Sequence, residues 1–233
     1  MMTSKEYMDS LRAMNTKVYA FGEKLDDVVS HPATAPHVRC AAMTYGLANT
    51  TEGKPLLTAR SHLTGDTINR FLHIHQSAAD LVTKVKMLRF LSQHTGSCYQ
   101  RCVGFDGINA VYSTTYELDE AKGTDYHQRF IEYLKQMQRK DLMICGAMTD
   151  SKGDRSLAPH QQSNPDVFVH VTERRKDGIV IRGSKQHQTG AVNSHEILLM
   201  PTIAMREADK DFAVACAVPA DAPGVTMVFG RQS

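Results

Sequence analysis

The hydrophobic period of this chain changes near residue 140, and that change restricts it to a helical segment followed by a β segment. Before it, apolar residues recur at helical spacing. Thr3 and Glu6 have capping-box spacing, and Tyr7, Leu11, Met14 and Val18 follow on one helical face. Ser77 and Asp80 repeat the signal ahead of an apolar stripe of Leu81, Val85, Leu88 and Leu91, with Lys84, Lys86 and Arg89 elsewhere on the helix. A third helix is expected over about 125–139, with Phe130, Leu134 and Met137 on one side and Gly123 breaking the chain before it. After residue 140, Val167, Val169 and Val171 alternate with Phe168, His170 and Thr172, which is a strand period. Asp177-Gly178 marks a hairpin before Ile179-Val180-Ile181, and 196–200, 212–218 and 225–229 are further strand candidates. The expectation is an α+β chain: a helical domain over 1–140 and an antiparallel β domain over 141–233.

Composition narrows the class of partner. The 233 residues carry 27 basic and 25 acidic side chains, a net +2 without basic runs, so nothing points to nucleic acid. Hydrophobic residues make up 42% of the chain, enough for a core. The apolar runs are short and broken by charge, which argues against a membrane span. Met1-Met2-Thr3-Ser4-Lys5-Glu6 turns polar too soon for a signal peptide. Five cysteines in such a chain favour a reducing cytoplasm, with thiols free or metal-bound. The last residues, Gly230 to Ser233, directly follow a strand candidate. An exposed strand edge is expected there, as in a fragment or one half of a split protein.

Three stretches carry candidate chemistry. In Cys98-Tyr99-Gln100-Arg101-Cys102 two thiols lie about one helical turn apart. The pair is expected to open a helix after Gly96, where the positive end of the dipole favours thiolate. Thiolates suit zinc or an iron–sulfur cluster, but two of them make half a site, and two cysteines packed as small apolar residues would share the spacing. Lys185 to Glu196 is dense in hydrogen-bond donors between two strand candidates, in keeping with contacts to a flavin ring or with a polar turn. Ala147 to Pro159 allows tight turns and offers Lys152 and Arg155 to an anion, or forms a surface loop. No P-loop, GxSxG, HExxH or GxGxxG occurs. His73-Ile74-His75 reads as a loop or helix-end pair, and Cys40, Cys145 and Cys216 as packing residues.

Together with Met43-Thr44-Tyr45, Thr67-Ile68-Asn69-Arg70-Phe71, Asn109-Ala110-Val111-Tyr112 and Gly146-Ala147-Met148-Thr149-Asp150, these stretches resemble the 4-hydroxyphenylacetate 3-hydroxylase flavoprotein family. Within it they resemble the 4-hydroxybutyryl-CoA dehydratase and vinylacetyl-CoA isomerase branch, which the CxxxC separates from the hydroxylases. The resemblance implies an acyl-CoA dehydrogenase-like fold: a helical N-terminal domain, a β middle domain holding FAD, and a C-terminal helical bundle absent from this chain. It implies that Cys98 and Cys102 are two of four ligands of a [4Fe-4S] cluster, the other two, a His and a Cys, lying in the C-terminal half. It assigns Gln100 and Thr189 to the active site. It assigns Thr149, Asp150, Ser151, Lys152, Gly153, Asp154 and Arg155, with His187, Gln188 and Thr189, to flavin contacts. The implied substrate is an acyl-CoA, dehydrated from 4-hydroxybutyryl-CoA to crotonyl-CoA, and the implied partners are the missing C-terminal half and further copies in a homotetramer. A flavin-dependent aromatic monooxygenase and a non-catalytic assembly subunit are the competing expectations.

Overall fold

The computed structural model describes residues 1–151 and 153–230. Helix α1 (Ser4–Arg12) starts at the expected capping box: the Thr3 side chain accepts from the Glu6 N–H, and Glu6 returns a bond to the Thr3 N–H. Tyr7 and Leu11 are buried, but the helix stops at Arg12, and Val18 opens β1 (Val18–Ala20) instead of continuing the helical face. After β2 (Glu23–Lys24), helix α2 (Ala35–Ala48) carries Pro36 in its first turn, where a missing N–H costs nothing. The short α3 (Lys54–Leu57) leads to the paired strands β3 (Thr58–Arg60) and β4 (Thr67–Asn69).

Helix α4 (Ala78–Thr95) is capped by Ser77, which accepts from the Asp80 N–H, and ends at Gly96 in the left-handed conformation. Its expected apolar stripe is only half used. Leu91 is buried, whereas Leu81 and Val85 are 50% and 63% exposed, because the inward face of α4 carries Asp80, Lys84, Met87 and Leu91, with Asp80 meeting His73 and Lys84 meeting Asp106 of α5. Helix α5 (Cys102–Lys122) and helix α6 (Tyr126–Lys140) pack together, and α6 buries Phe130, Leu134 and Met137 as its period dictates.

Strand β5 (Ile144–Ala147) is fully buried. The next strand begins at His170, since Pro165–Val167 form a 3₁₀ turn. β6 (His170–Arg175) and β7 (Gly178–Arg182) make the expected hairpin, with a register irregularity between Val171 and Glu173. β8 (Glu196–Leu199), β9 (Cys216–Pro219) and β10 (Met227–Phe229) follow.

The sheets are mixed, which corrects the expectation of an antiparallel β segment. β8 pairs antiparallel with β9 but parallel with β5, from Ile144 opposite Glu196 to Ala147 opposite Leu199. A parallel pair needs a long crossover, and residues 148–195 supply it. β10 runs parallel to β1 at the edge of a three-stranded sheet with β2, so strands also occur in the region expected to be purely helical.

Apolar packing crosses residue 140. One buried cluster joins Tyr7, Val18, Val38 and Tyr45 to Met143, Ala220 and Met227, and a second joins Ile108, Leu134 and Met137 to Ile144 and Leu198. The Tyr7 hydroxyl donates to the Asn193 carbonyl at 2.5 Å, and the Tyr7 ring stacks on Tyr45 at 4.5 Å. Among the described residues no helix is long and apolar enough to cross a membrane.

Candidate functional site

The turn before α5 places the two thiols. Cys98 is exposed and precedes the helix, and Cys102 is half-buried at its first position. The expectation that both cysteines open the helix is therefore met by Cys102 alone. Gln100 between them holds φ +66°, a left-handed conformation uncommon for a residue with a side chain, and its N–H donates to Cys98 Sγ at 3.3 Å. Burial, and then the neighbouring Cys98, push the Cys102 thiol up. The Cys98 thiol is near enough to act on Cys102, as two ligands of one metal centre must be. No group of three or more His, Cys, Asp or Glu side chains able to hold a metal ion occurs among the described residues.

Two contacts fix where this turn lies. A Cβ on Gly104 would fall 1.9 Å from the Ile144 carbonyl oxygen, so only glycine lets the first turn of α5 sit directly on β5. Arg101 is buried between two rings, its guanidinium carbon 4.2 Å from the Tyr45 centroid and 4.3 Å from that of Phe71, and its Nη1 donates to Thr44 Oγ1 at 2.9 Å. Asp141, also buried, is within electrostatic reach of Arg101; burial raises its carboxyl and Arg101 partly opposes the shift. Asp141 carries no signal in the sequence, whereas Arg101 lies inside the cysteine stretch and the Tyr45 ring it packs against lies inside Met43-Thr44-Tyr45.

The second segment meets this turn directly. Gly190, at φ +82°, lies so close to the Gln100 carbonyl that an added Cβ would be 2.7 Å from that oxygen. Thr189, next to it, is exposed, as is His187, which holds φ +57°. The third segment joins on from there. The Gln188 Nε2 donates to the Thr149 carbonyl at 3.1 Å, and the Gln186 N–H donates to the same oxygen at 2.7 Å. Asp150 and Lys185 face each other in a buried ion pair at 2.6 Å, and Lys185 Nζ also donates to the Met148 and Met200 carbonyls, each at 2.9 Å. The Asp150 carboxylate is thus committed to the protein, tying the two loops together. Ser151 Oγ meets Ser184 Oγ at 2.6 Å. Gly153 holds φ +47°, and Asp154 accepts from the Ser156 N–H and hydroxyl. Arg155 is exposed. Lys152, an expected flavin contact, lies outside the described residues.

The structure therefore brings the cysteine turn, the loop 187–190 and the start of the loop 149–155 into one continuous patch. It also adds His37, which sequence reasoning did not single out: its Nδ1 contacts the Gln100 side-chain nitrogen. The patch offers two soft sulfur donors, an exposed hydroxyl and an exposed guanidinium.

Known proteins share this arrangement of chain. 4-Hydroxybutyryl-CoA dehydratase/vinylacetyl-CoA-Δ-isomerase of Clostridium aminobutyricum is 57% identical over 233 residues, 100% of this chain and 48% of the relative. The solved structure of an oxygen-tolerant archaeal 4-hydroxybutyryl-CoA dehydratase from N. maritimus superposes with a TM-score of 0.96 at 50% identity, covering 99% of this chain and 46% of that one. The oxygenase component of 4-hydroxyphenylacetate 3-monooxygenase from Geobacillus sp. is 26% identical over 99% of this chain and 48% of the relative. The chain spans about half the length of each of these proteins. The family profile described as 4-hydroxyphenylacetate 3-hydroxylase N terminal matches residues 3–233, and the chain belongs to that family.

Proposed function

We propose that this chain is the flavin-side half of an enzyme that removes water from 4-hydroxybutyryl-CoA to give crotonyl-CoA and shifts the double bond of vinylacetyl-CoA. The contact between the Gln100 carbonyl and Gly190 carries the reading, because it sets a two-thiol turn beside the exposed Thr189. The 57% and 50% identities to the two dehydratases support it further, against 26% for the monooxygenase. In this reading the fold is of the acyl-CoA dehydrogenase type and is completed by a C-terminal helical bundle within a homo-oligomer.

Cys98 and Cys102 would hold two corners of a [4Fe-4S] cluster, for which soft thiolates are the fitting donors. With no third ligand near them among the described residues, the remaining ligands would come from elsewhere. The loops 149–155 and 187–189 would hold FAD, with Arg155 toward an anionic group and the Thr189 hydroxyl toward the ring or substrate. When bound, the iron would supply a Lewis acid toward the leaving hydroxyl and the flavin a reversible one-electron acceptor. The residues of this chain do the positioning. The Asp150–Lys185 pair clamps the two loops, Arg101 anchors the cysteine turn between Tyr45 and Phe71, and the backbone carbonyl of Gln100 seats that turn against Gly190, next to Thr189. Removal of a poorly acidic β proton demands that both cofactors face the same substrate carbons, and one continuous patch meets that demand.

The test is anaerobic purification of the chain with and without the downstream polypeptide found in the longer relatives, followed by iron analysis and a crotonyl-CoA assay. Iron and activity are expected only in the assembled protein. Cys98→Ser or Cys102→Ser should abolish iron binding and spare most of the FAD; unchanged iron in either variant rules out the ligand assignment. The monooxygenase relatives keep a second reading in play, a reduced-flavin hydroxylase of phenols. The same preparation decides between them, since that enzyme would be yellow and free of iron.

A further inference from the structure

We infer that His37 is the positioning residue of the two-cysteine turn and sets which end of the Gln100 amide faces the site. The consequence for substrate rests on the dehydratase reading; the orientation of the amide does not.

A non-glycine residue at φ +66° persists only where its surroundings over-determine it. Three contacts do so for Gln100. Its N–H meets Cys98 Sγ at 3.3 Å, its carbonyl lies against Gly190, and its side-chain nitrogen meets His37 Nδ1. The first two use backbone atoms and would serve any residue. The third alone is specific to a glutamine facing a histidine.

His37 is held from two sides. It occupies the first turn of α2, after Pro36, and its ring lies against Phe229 of β10 with centroids 5.4 Å apart. An amide nitrogen only donates, so Nδ1 is the acceptor and the ring proton is on Nε2. The side-chain oxygen of Gln100, Oε1, is thereby turned away from His37 and left as an acceptor. A ligand group meeting it must be a donor. The hydroxyl of a 4-hydroxyacyl thioester is such a group, and the corresponding carbon of an unsubstituted acyl chain is not.

The first test uses the cofactor-free chain labelled with ¹⁵N-glutamine, the Gln100 side-chain amide being assigned by its loss in Gln100→Ala. In the wild type this NH₂ should exchange with solvent more slowly than that of the exposed Gln93. His37→Leu should accelerate it about fivefold, the factor set by one net hydrogen bond. His37→Asn, whose Oδ1 can replace Nδ1 as acceptor, should keep it slow. Exchange as fast as that of Gln93 in the wild type, or no acceleration in His37→Leu, overturns the inference. In the anaerobic holoprotein, His37→Leu should lower kcat/KM for 4-hydroxybutyryl-CoA about 10–100-fold, the usual cost of losing a group that orients an active-site residue. Iron and FAD contents should stay unchanged, and His37→Asn should restore most of the rate. Full turnover in His37→Leu overturns the positioning role. A protected amide in a wild-type protein that dehydrates nothing would leave the orientation standing and overturn the dehydratase reading.

Discussion

Two neighbouring residues at the start of β8 have opposite dependences on pH. His195 is buried, accepts from the Met143 N–H at Nδ1 (2.9 Å), and meets Ser10 Oγ through Nε2 at 2.8 Å, so the neutral ring satisfies both nitrogens. Burial pushes its pKa down to about 4, so its contribution to stability is complete above 6.5 and is lost as pH falls toward 4. Burial, and then the nearby Asp221, push Glu196 up to about 7, so its contribution is complete below 4.5 and is lost as pH rises toward 7. The two slopes oppose each other across the shared window. Glu196→Gln should therefore expose a stability that rises between pH 4 and 6.5, read from urea midpoints at stepped pH; a flat profile would refute the opposing assignment. Gly190 carries a different constraint. Gly190→Ala introduces a side chain at φ +82° and into the Gln100 carbonyl, and should cost about 1–3 kcal/mol while displacing the cysteine turn. Thermal melts and thiol labelling at Cys98 check it.

At the scale of elements, period alone settled which residues of α6 face inward, but not those of α4. Leu81, Val85, Leu88 and Leu91 are equivalent in the pattern, yet only Leu91 is buried. Leu91→Ala should cost about 2–5 kcal/mol in the isolated chain, whereas Val85→Ala should change its stability by less than about 0.5 kcal/mol. Equal losses in paired urea melts would show that the face of α4 carrying Val85 is covered. The loops 149–155 and 185–189 are joined by a buried ion pair that no motif announces, because its partners are far apart in sequence. Lys185→Met leaves Asp150 buried without its partner and should destabilise by about 3–5 kcal/mol, and the further change Asp150→Leu should recover part of that loss. A double-mutant cycle measures the coupling.

For the whole molecule, the N-terminal segment is inseparable from the last described strand. β10 runs parallel to β1, and Met227 packs in the cluster that contains Tyr7 and Val18. Deleting residues 224–233 should cost at least about 2 kcal/mol from the buried Met227 side chain alone, as measured by urea unfolding. The caps of α1 and α4, the Asp177-Gly178 hairpin and the strands after residue 170 were legible in the sequence, since each depends on neighbours a few residues away, whereas β1 to β5 were not. The candidate site was legible as three separate stretches. That they form one patch was not, because it depends on close approaches such as those at Gly104 and Gly190.

What the amino-acid sequence determined by itself is local: the period of each segment, its caps, and two thiols four residues apart. Tertiary structure decided the rest. A strand's period does not specify its partner's direction, so the parallel pairing of β5 with β8 follows from the crossover between them. An arginine between two cysteines does not announce that it is buried; only the packed fold closes Tyr45 and Phe71 around Arg101. The two thiols lie beside Thr189 for the same kind of reason: a glycine without a Cβ admits a carbonyl from 90 positions earlier in the chain, and only the packed fold brings them together.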